Sequence, residues 1–187
     1  MRARLIAATK ASLMDNGYGR TTAVEVCARA GVTRGALFHQ FSGLSELFAA
    51  TLEEVCTEIG RRSHEAAAHS DPRHAAAAYI ETAWAGFGHR DFKIVIEVWF
   101  AARNDPSLRK ELSPVIERIR RAATPQLNPT LAAKVGRGAE DIAFYRLVLE
   151  AMIGMALGRA VNPGSKPMGH EDDVIALLKQ LARNRST

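Results

Sequence analysis

The sequence is poor in the residues that staple chains together, cross membranes or carry out chemistry. Only two cysteines occur in 187 residues, Cys27 and Cys56, so no disulfide framework is expected and a reducing compartment is implied. No run of eighteen apolar residues exists, which argues against a spanning helix. The opening MRARLIAATKASLMDNG is too polar and too periodic for a secretory leader, and the expected location is the cytoplasm. No P-loop, glycine-rich dinucleotide turn or nucleophile elbow is found, so neither an enzyme nor a catalytic residue nor a cofactor is expected. Among the six histidines, His64 and His69 come nearest to a metal pair, but they stand five apart. Five helical steps leave them about 140° past a full turn, whereas a zinc helix uses i, i+4, so no metal site is expected.

What is present is apolar substance and uneven positive charge. Apolar residues make up 47%, enough for a sizeable core. The net charge is +5. Residues 1–48 hold six basic side chains (Arg2, Arg4, Lys10, Arg20, Arg29 and Arg34) against three acids, so the first quarter carries more than half of the excess. A polyanionic partner for the N-terminal part fits that asymmetry.

The apolar residues recur with the helical period. Leu5, Thr9, Ser12 and Leu13 share a face of a first helix that stops at DNGYG, where Gly17 accepts a positive φ. Thr22 is placed to cap a second, short helix with Val26 and Cys27 inward. Phe48, Leu52, Val55 and Ile59 follow the stripe of a long helix running towards His69. SDP at 70–72 and NDP at 104–106 each read as an Asp cap before a first-turn proline. Ile80, Trp84 and Phe87, then Leu108, Leu112, Val115 and Ile119, line the helices that follow, with a kink or restart expected at Pro114 and Ser113 as its cap. FKIVIEVWF at 92–100 is rich in β-branched residues, but its only charges, Lys93 and Glu97, lie four apart, and a buried helix is expected. Loops are expected at TPQLNPT, VGRG and NPGSKPMG. A long apolar helix over 140–160 and a last amphipathic one bearing Val174, Leu178 and Leu181 complete an all-α chain of about nine helices.

AGVTRGALFHQFSGLSELF at 30–48 has the marks of a helix-turn-helix. Such a motif needs a small residue where the helices cross (Cys27), a turn residue that tolerates positive φ (Gly31), and apolar anchors on the second helix (Val32 and Leu37). Thr33, Arg34, Gly35 and Ala36 are then left to face a major groove.

TTAVEVCARAGVTRGALFHQFSGLSELF resembles the DNA-binding segment of the TetR family of bacterial transcription regulators. Thr21, Thr22, Val26, Ala30, Gly31, Val32, Thr33, Leu37, Phe41, Leu47 and Phe48 match the family pattern. Phe38 stands where the family usually has tyrosine, Leu44 where it has lysine, and His39 and Gln40 permute a familiar imidazole. The tyrosine and lysine commonly hold phosphates, so those contacts are missing here, with Arg2, Arg4, Arg20 or Arg34 as the cations placed to compensate. The resemblance implies that Thr21, Thr22, Phe38 and His39 join the DNA-facing set. It also implies an N-terminal three-helix reading module, residues 1–45, followed by a helical effector-binding and dimerisation domain, residues 46–187.

Large aromatic and thioether side chains in the middle helices suit a pocket for a largely apolar small molecule: Trp84, Phe87, Phe92, Trp99, Phe100, Tyr145 and Met152, with Arg103 as a polar contact. The helix over 142–157 is apolar around most of its girth and must be covered on most sides. Ile142, Leu149, Ile153 and Ala156, with Val174, Leu178 and Leu181 of the last helix, are the expected homodimer contacts, in the four-helix arrangement that the resemblance implies. The function expected is that of a repressor released from a palindromic operator by a small-molecule effector. The alternative is a helical small-molecule-binding protein or enzyme with a degenerate DNA-binding module.

Overall fold

The computed structural model describes residues 1–70, 74–123, 138–162, 164 and 166–185. Among these residues the fold is all-helical, with nine α-helices and no strand. They are α1 (Arg2–Asn16), α2 (Ala23–Ala30), α3 (Arg34–Gln40), α4 (Leu44–His69), α5 (Ala75–Phe87), α6 (Phe92–Ala102), α7 (Pro106–Ala123), α8 (Ala139–Val161) and α9 (Glu171–Asn184), with a 3-10 turn at Tyr18–Arg20. Two compact units are distinguished: Met1–Cys56 with Lys93–Arg118, and Thr57–Phe92 with Ile119–Thr187.

The first unit is organised by the stripes of short helices. Leu5, Ile6 and Ala8 of α1, Val26, Cys27 and Ala30 of α2, Leu37 of α3, Phe41, and Leu47 and Ala50 of α4 form one buried cluster. Thr9 and Ser12 are buried with it and their hydroxyls are satisfied, Thr9 donating to the Leu5 carbonyl at 2.8 Å and Ser12 sharing a 3.0 Å bond with Thr21. Residues 92–100 are helical despite their β-branched content. Ile94, Val95, Ile96 and Val98 are all buried, so packing outweighs propensity, and Lys93 pairs with Glu97 at 3.6 Å along one helical stripe.

Asp105 caps α7 as the NDP reading requires, its carboxylate accepting the Leu108 N–H at 3.0 Å with Pro106 at the first helical position. The equivalent reading at Asp71 and Pro72 lies outside the described residues, as do the loops expected within 124–137 and at Pro163 and Ser165. No restart occurs at Pro114. α7 runs unbroken through it, and Ser113 is no cap, since its hydroxyl donates back to the Arg109 carbonyl at 2.8 Å.

In the second unit, α5 buries Tyr79, Ile80, Ala83 and Trp84 while α8 buries Phe144, Tyr145, Val148, Met152 and Met155, and α9 adds Ile175 and Leu178. His64, Tyr79, Tyr145 and Phe144 form a chain of edge-on ring contacts with centroids 5.7–5.9 Å apart. An ion pair ties α8 to the start of α9. Glu171, 2% exposed, takes the Arg159 guanidinium, which also donates to the Gly88 carbonyl at 2.6 Å and lies 5.0 Å over the Trp84 ring.

Candidate functional site

The turn between α2 and α3 is built from its backbone outward. Gly31 sits at φ 61° and ψ 44°, a left-handed conformation that ends α2, and its N–H turns back to the last carbonyls of that helix. A Cβ added there would also lie 3.3 Å from an Arg4 nitrogen. That arginine reaches over from α1 and donates to the carbonyls of Ala30 at 2.5 Å and Gly31 at 3.4 Å, satisfying groups the helix end leaves open. Thr33 then caps α3 by accepting the Ala36 N–H at 3.2 Å. Thr22 does the same for α2 with Glu25.

α3 is a short helix with one anchored face. Leu37 is fully buried in the cluster, and Val32 packs against it. Thr33, Arg34, Gly35, Phe38 and His39 are exposed, and Ala36 is half-buried. The Arg34 guanidinium lies 5.9 Å from the centroid of the Phe38 ring. Thr22 is exposed as well.

Thr21 is corrected. It is buried, and its hydroxyl is bonded to Ser12 and to the Gly17 carbonyl at 2.9 Å, so it holds α1 to the 3-10 turn and offers nothing to an external phosphate. Leu44 is half-buried against the cluster, which explains why an apolar residue serves at that position. Three arginines named as compensating cations are engaged inside the module: Arg2 lies 4.3 Å over the Phe41 ring, Arg4 holds the turn, and Arg20 donates to the Asn16 carbonyl at 3.1 Å. Of the four only Arg34 stands on the reading helix.

The sequence carried no sign of the contacts that tie this module into its unit. Tyr18 donates through its hydroxyl to Asp105 at 2.9 Å and through its N–H to Glu97 at 3.1 Å, and its ring packs on Phe48 at 4.9 Å. Burial, then the Asp105 carboxylate, push the Tyr18 hydroxyl up to about 12. Asp105 is held down at about 2 by its bonds from Ser107, Leu108 and Tyr18. Ser45 meets Ser107 at 3.0 Å, and Arg118 forks onto Glu53 at 2.6 and 2.9 Å.

The residues read as pocket walls divide between the units. Trp84, Phe92, Tyr145 and Met152 are buried in the second, with Phe87 half-buried against Phe92 at 4.6 Å. Trp99, Phe100 and Arg103 belong to the first and are exposed. The inner face of α6 belongs instead to Ile94, Val95, Val98 and Ala102, so those three are corrected as walls of an enclosed cavity. Tyr145 is distinctive: its hydroxyl is buried and has no hydrogen-bond partner among the described residues, and burial raises its pKa well above the ordinary value.

The residues expected at a pairing face differ in burial, and Leu181 alone among them is exposed. Ala156 and Leu178 are buried within the chain, and Ile142, Leu149, Ile153 and Val174 are half-buried. The uncovered apolar side chains are Leu147 (54% exposed), Leu157 and Val161 on α8, with Leu177 and Leu181 on α9. Leu147, Gly154 and Val161 repeat every seven residues, a signal the sequence held but that the apolar girth of the helix obscured. An open groove of about 450 Å³ lies beside them, lined by Ala143, Phe144, Leu147 and Leu181 among others.

Short helices packed on one buried cluster, with a glycine turn between α2 and an α3 exposed on its outer face, define a helix-turn-helix protein. The pattern of the bacterial regulatory proteins of the tetR family matches residues 5–51. The chain is 32% identical over 160 residues to the HTH-type transcriptional regulator CymR of Pseudomonas putida, an alignment covering 82% of this chain and 76% of that protein. It belongs to the TetR family of transcriptional regulators. Its fold is shared by a transcriptional regulator from Rhodococcus sp. Rha1, with a TM-score of 0.74 at 23% identity, covering 98% of this chain and 96% of that one. It is shared equally by FadR of Bacillus subtilis in complex with stearoyl-CoA, with a TM-score of 0.71 at 14% identity over 95% and 97%.

Proposed function

We propose that this regulator represses transcription as a homodimer on a two-fold symmetric operator and is released by a small, largely apolar effector. The observation that carries the DNA-facing half of this reading is α3, fixed from below by Leu37 and from its N-terminus by Thr33, with Arg34 outward. Thr33, Arg34, Gly35, Ala36, Phe38 and His39 are the groove-facing set, and Thr22 sits at the start of α2 for a phosphate. Two copies joined through the exposed stripes of α8 and α9 would set their reading helices one DNA turn apart, about 34–36 Å. α4 contributes residues to both compact units and is the element through which an effector acts on the reading module.

Replacing Arg34 with alanine tests this. Operator affinity is expected to fall by roughly 10-fold or more, since a bidentate arginine–guanine contact is worth about 1–3 kcal/mol. The melting temperature is expected to stay within a degree of wild type, because the side chain is exposed. Unchanged affinity in a gel-shift titration would remove α3 from the groove.

The effector half rests on Tyr145. FadR of Bacillus subtilis holds stearoyl-CoA in its complex, and the candidate polar anchor here is the unpartnered Tyr145 hydroxyl, with Trp84, Phe92 and Met152 as apolar walls. A buried hydroxyl without a partner costs stability that a ligand recovers. Tyr145→Phe is therefore expected to stabilise the effector-free protein by about 1 kcal/mol in urea unfolding. A destabilised variant would show that the hydroxyl is already satisfied. An effector need favour the released arrangement by only a few kcal/mol to empty an operator.

A further inference from the structure

α3 has few groups with which to read a base by hydrogen bonding. Gly35 and Ala36 offer no polar side chain, and the Thr33 hydroxyl already accepts the Ala36 N–H. Leu37 is buried. The outward donors are Arg34, His39 and the Thr33 O–H, which can still donate while its oxygen accepts the Ala36 N–H. Against that scarcity stands a large apolar ring: Phe38 is 47% exposed in the middle of the reading helix, with the Arg34 guanidinium over it.

Leaving a phenyl ring in water on a seven-residue helix has a cost that a bound duplex removes only if it offers an apolar surface. The major groove offers one such group at base level, the C5-methyl of thymine. Phe38 has no hydroxyl with which to reach a phosphate, so its chemistry suits the groove floor and not the backbone. Arg34 lies one helical turn before it on the same face, with its guanidinium 5.9 Å from the ring centroid, so the two side chains are neighbours. Arginine is suited to the O6 and N7 acceptors of guanine.

We propose that Phe38 is a specificity-determining residue that reads a thymine methyl in each operator half-site, next to a guanine read by Arg34. This rests on the reading of α3 as the operator-facing helix. The pair acts as one reading unit for a guanine–thymine step: the guanidinium donates to the guanine edge while the ring covers the neighbouring methyl. Specificity at the thymine then comes from shape and desolvation, and the family's usual phosphate contact is exchanged for a base contact.

The test starts with selection of duplexes from a random pool by the full-length protein. Each thymine of the selected half-site is then replaced in turn by uracil, which removes only the methyl. At one position the wild-type affinity is expected to fall about fourfold when one half-site is changed and about fifteenfold when both are, the loss of about one buried methyl per half-site. With Phe38→Ala, whose exposed position leaves folding intact, the same replacement is expected to have no effect, and a second selection is expected to lose its preference for thymine at that position while keeping the adjacent guanine. Uracil tolerated at every position, or an equal loss in wild type and Phe38→Ala, would overturn the inference while the operator reading stood. Failure of the wild-type protein to enrich any duplex would overturn both.

Discussion

Truncating Glu171 to alanine is expected to cost about 3 kcal/mol of folding stability, the low end of the range for breaking a buried ion pair, because Arg159 keeps some contact with water. In a chain of this length that lowers the melting temperature by roughly 6–12 °C, read by calorimetry or by dye fluorescence. Arg159 bridges three places at once: the start of α9 through Glu171, the end of α5 through the Gly88 carbonyl, and the face of Trp84. The Glu171 carboxylate also accepts the Met168 N–H at 3.1 Å. Burial by itself pushes this carboxyl up, but the Arg159 and Met168 donors and the Arg159 charge outweigh it, and its pKa lies below the usual 4.5. A depressed carboxyl contributes its stability in full above about pH 4.5 and loses it as pH falls through the folded value. The wild-type protein should lose this increment in acid, and Glu171→Gln should lack that limb of the curve. A cost below 1 kcal/mol for the alanine variant would mean that the bridge is replaceable by water.

Charging the exposed stripe has the second large effect. Leu147→Glu combined with Leu177→Glu is expected to convert a species of about 41 kDa, twice the 20.4 kDa chain, into a monomer at micromolar concentration in sedimentation. Both positions are more than half exposed in the single chain, so its own fold should survive. Two half-sites held together gain their avidity from the pairing alone, and its loss should weaken operator binding by about 100-fold or more. Wild-type protein sedimenting at 20.4 kDa whatever its concentration would dispose of the pairing.

Periodicity and punctuation made most of the helices legible. The capping threonine at 22, Gly31 in the turn and Asp105 before Pro106 each follow from local stereochemistry, which a sequence expresses directly, whereas the cap that Thr33 gives α3 went unread. What it did not express was which side of an apolar helix ends up covered. α8 is apolar on several sides, so Ala156 and the uncovered Leu157 are adjacent and look alike as letters. Side chains with two uses are also hard to place from sequence. Arg2, Arg4 and Thr21 sit where a DNA contact is reasonable, but Thr21 is buried at a helix contact and the two arginines reach along their own module, one to a ring and one to helix-end carbonyls. The association of residues 93–118 with the first 56, through Tyr18, Glu97 and Asp105, joins positions 79 and 87 apart, and helical spacing carries no trace of it.

The local partners of the arginines bear on the salt dependence expected of DNA binding. Of the six basic side chains in the first 48 residues, Arg2, Arg4, Arg20 and Arg29 have partners within the module. Each phosphate neutralised on B-DNA steepens the logarithmic salt slope by about 0.9, because condensed counterions are set free. Arg29 is already paired with Asp15 and Glu25, and Arg4 is tied to the turn carbonyls, so a duplex that draws on them for phosphates must displace those partners. A gentler salt slope than six unengaged cations would give is the expected result of filter binding at several salt concentrations. Sliding along DNA depends on such phosphate contacts. Quick release from arbitrary sequence is the expected corollary, read as the dissociation rate of a labelled random duplex.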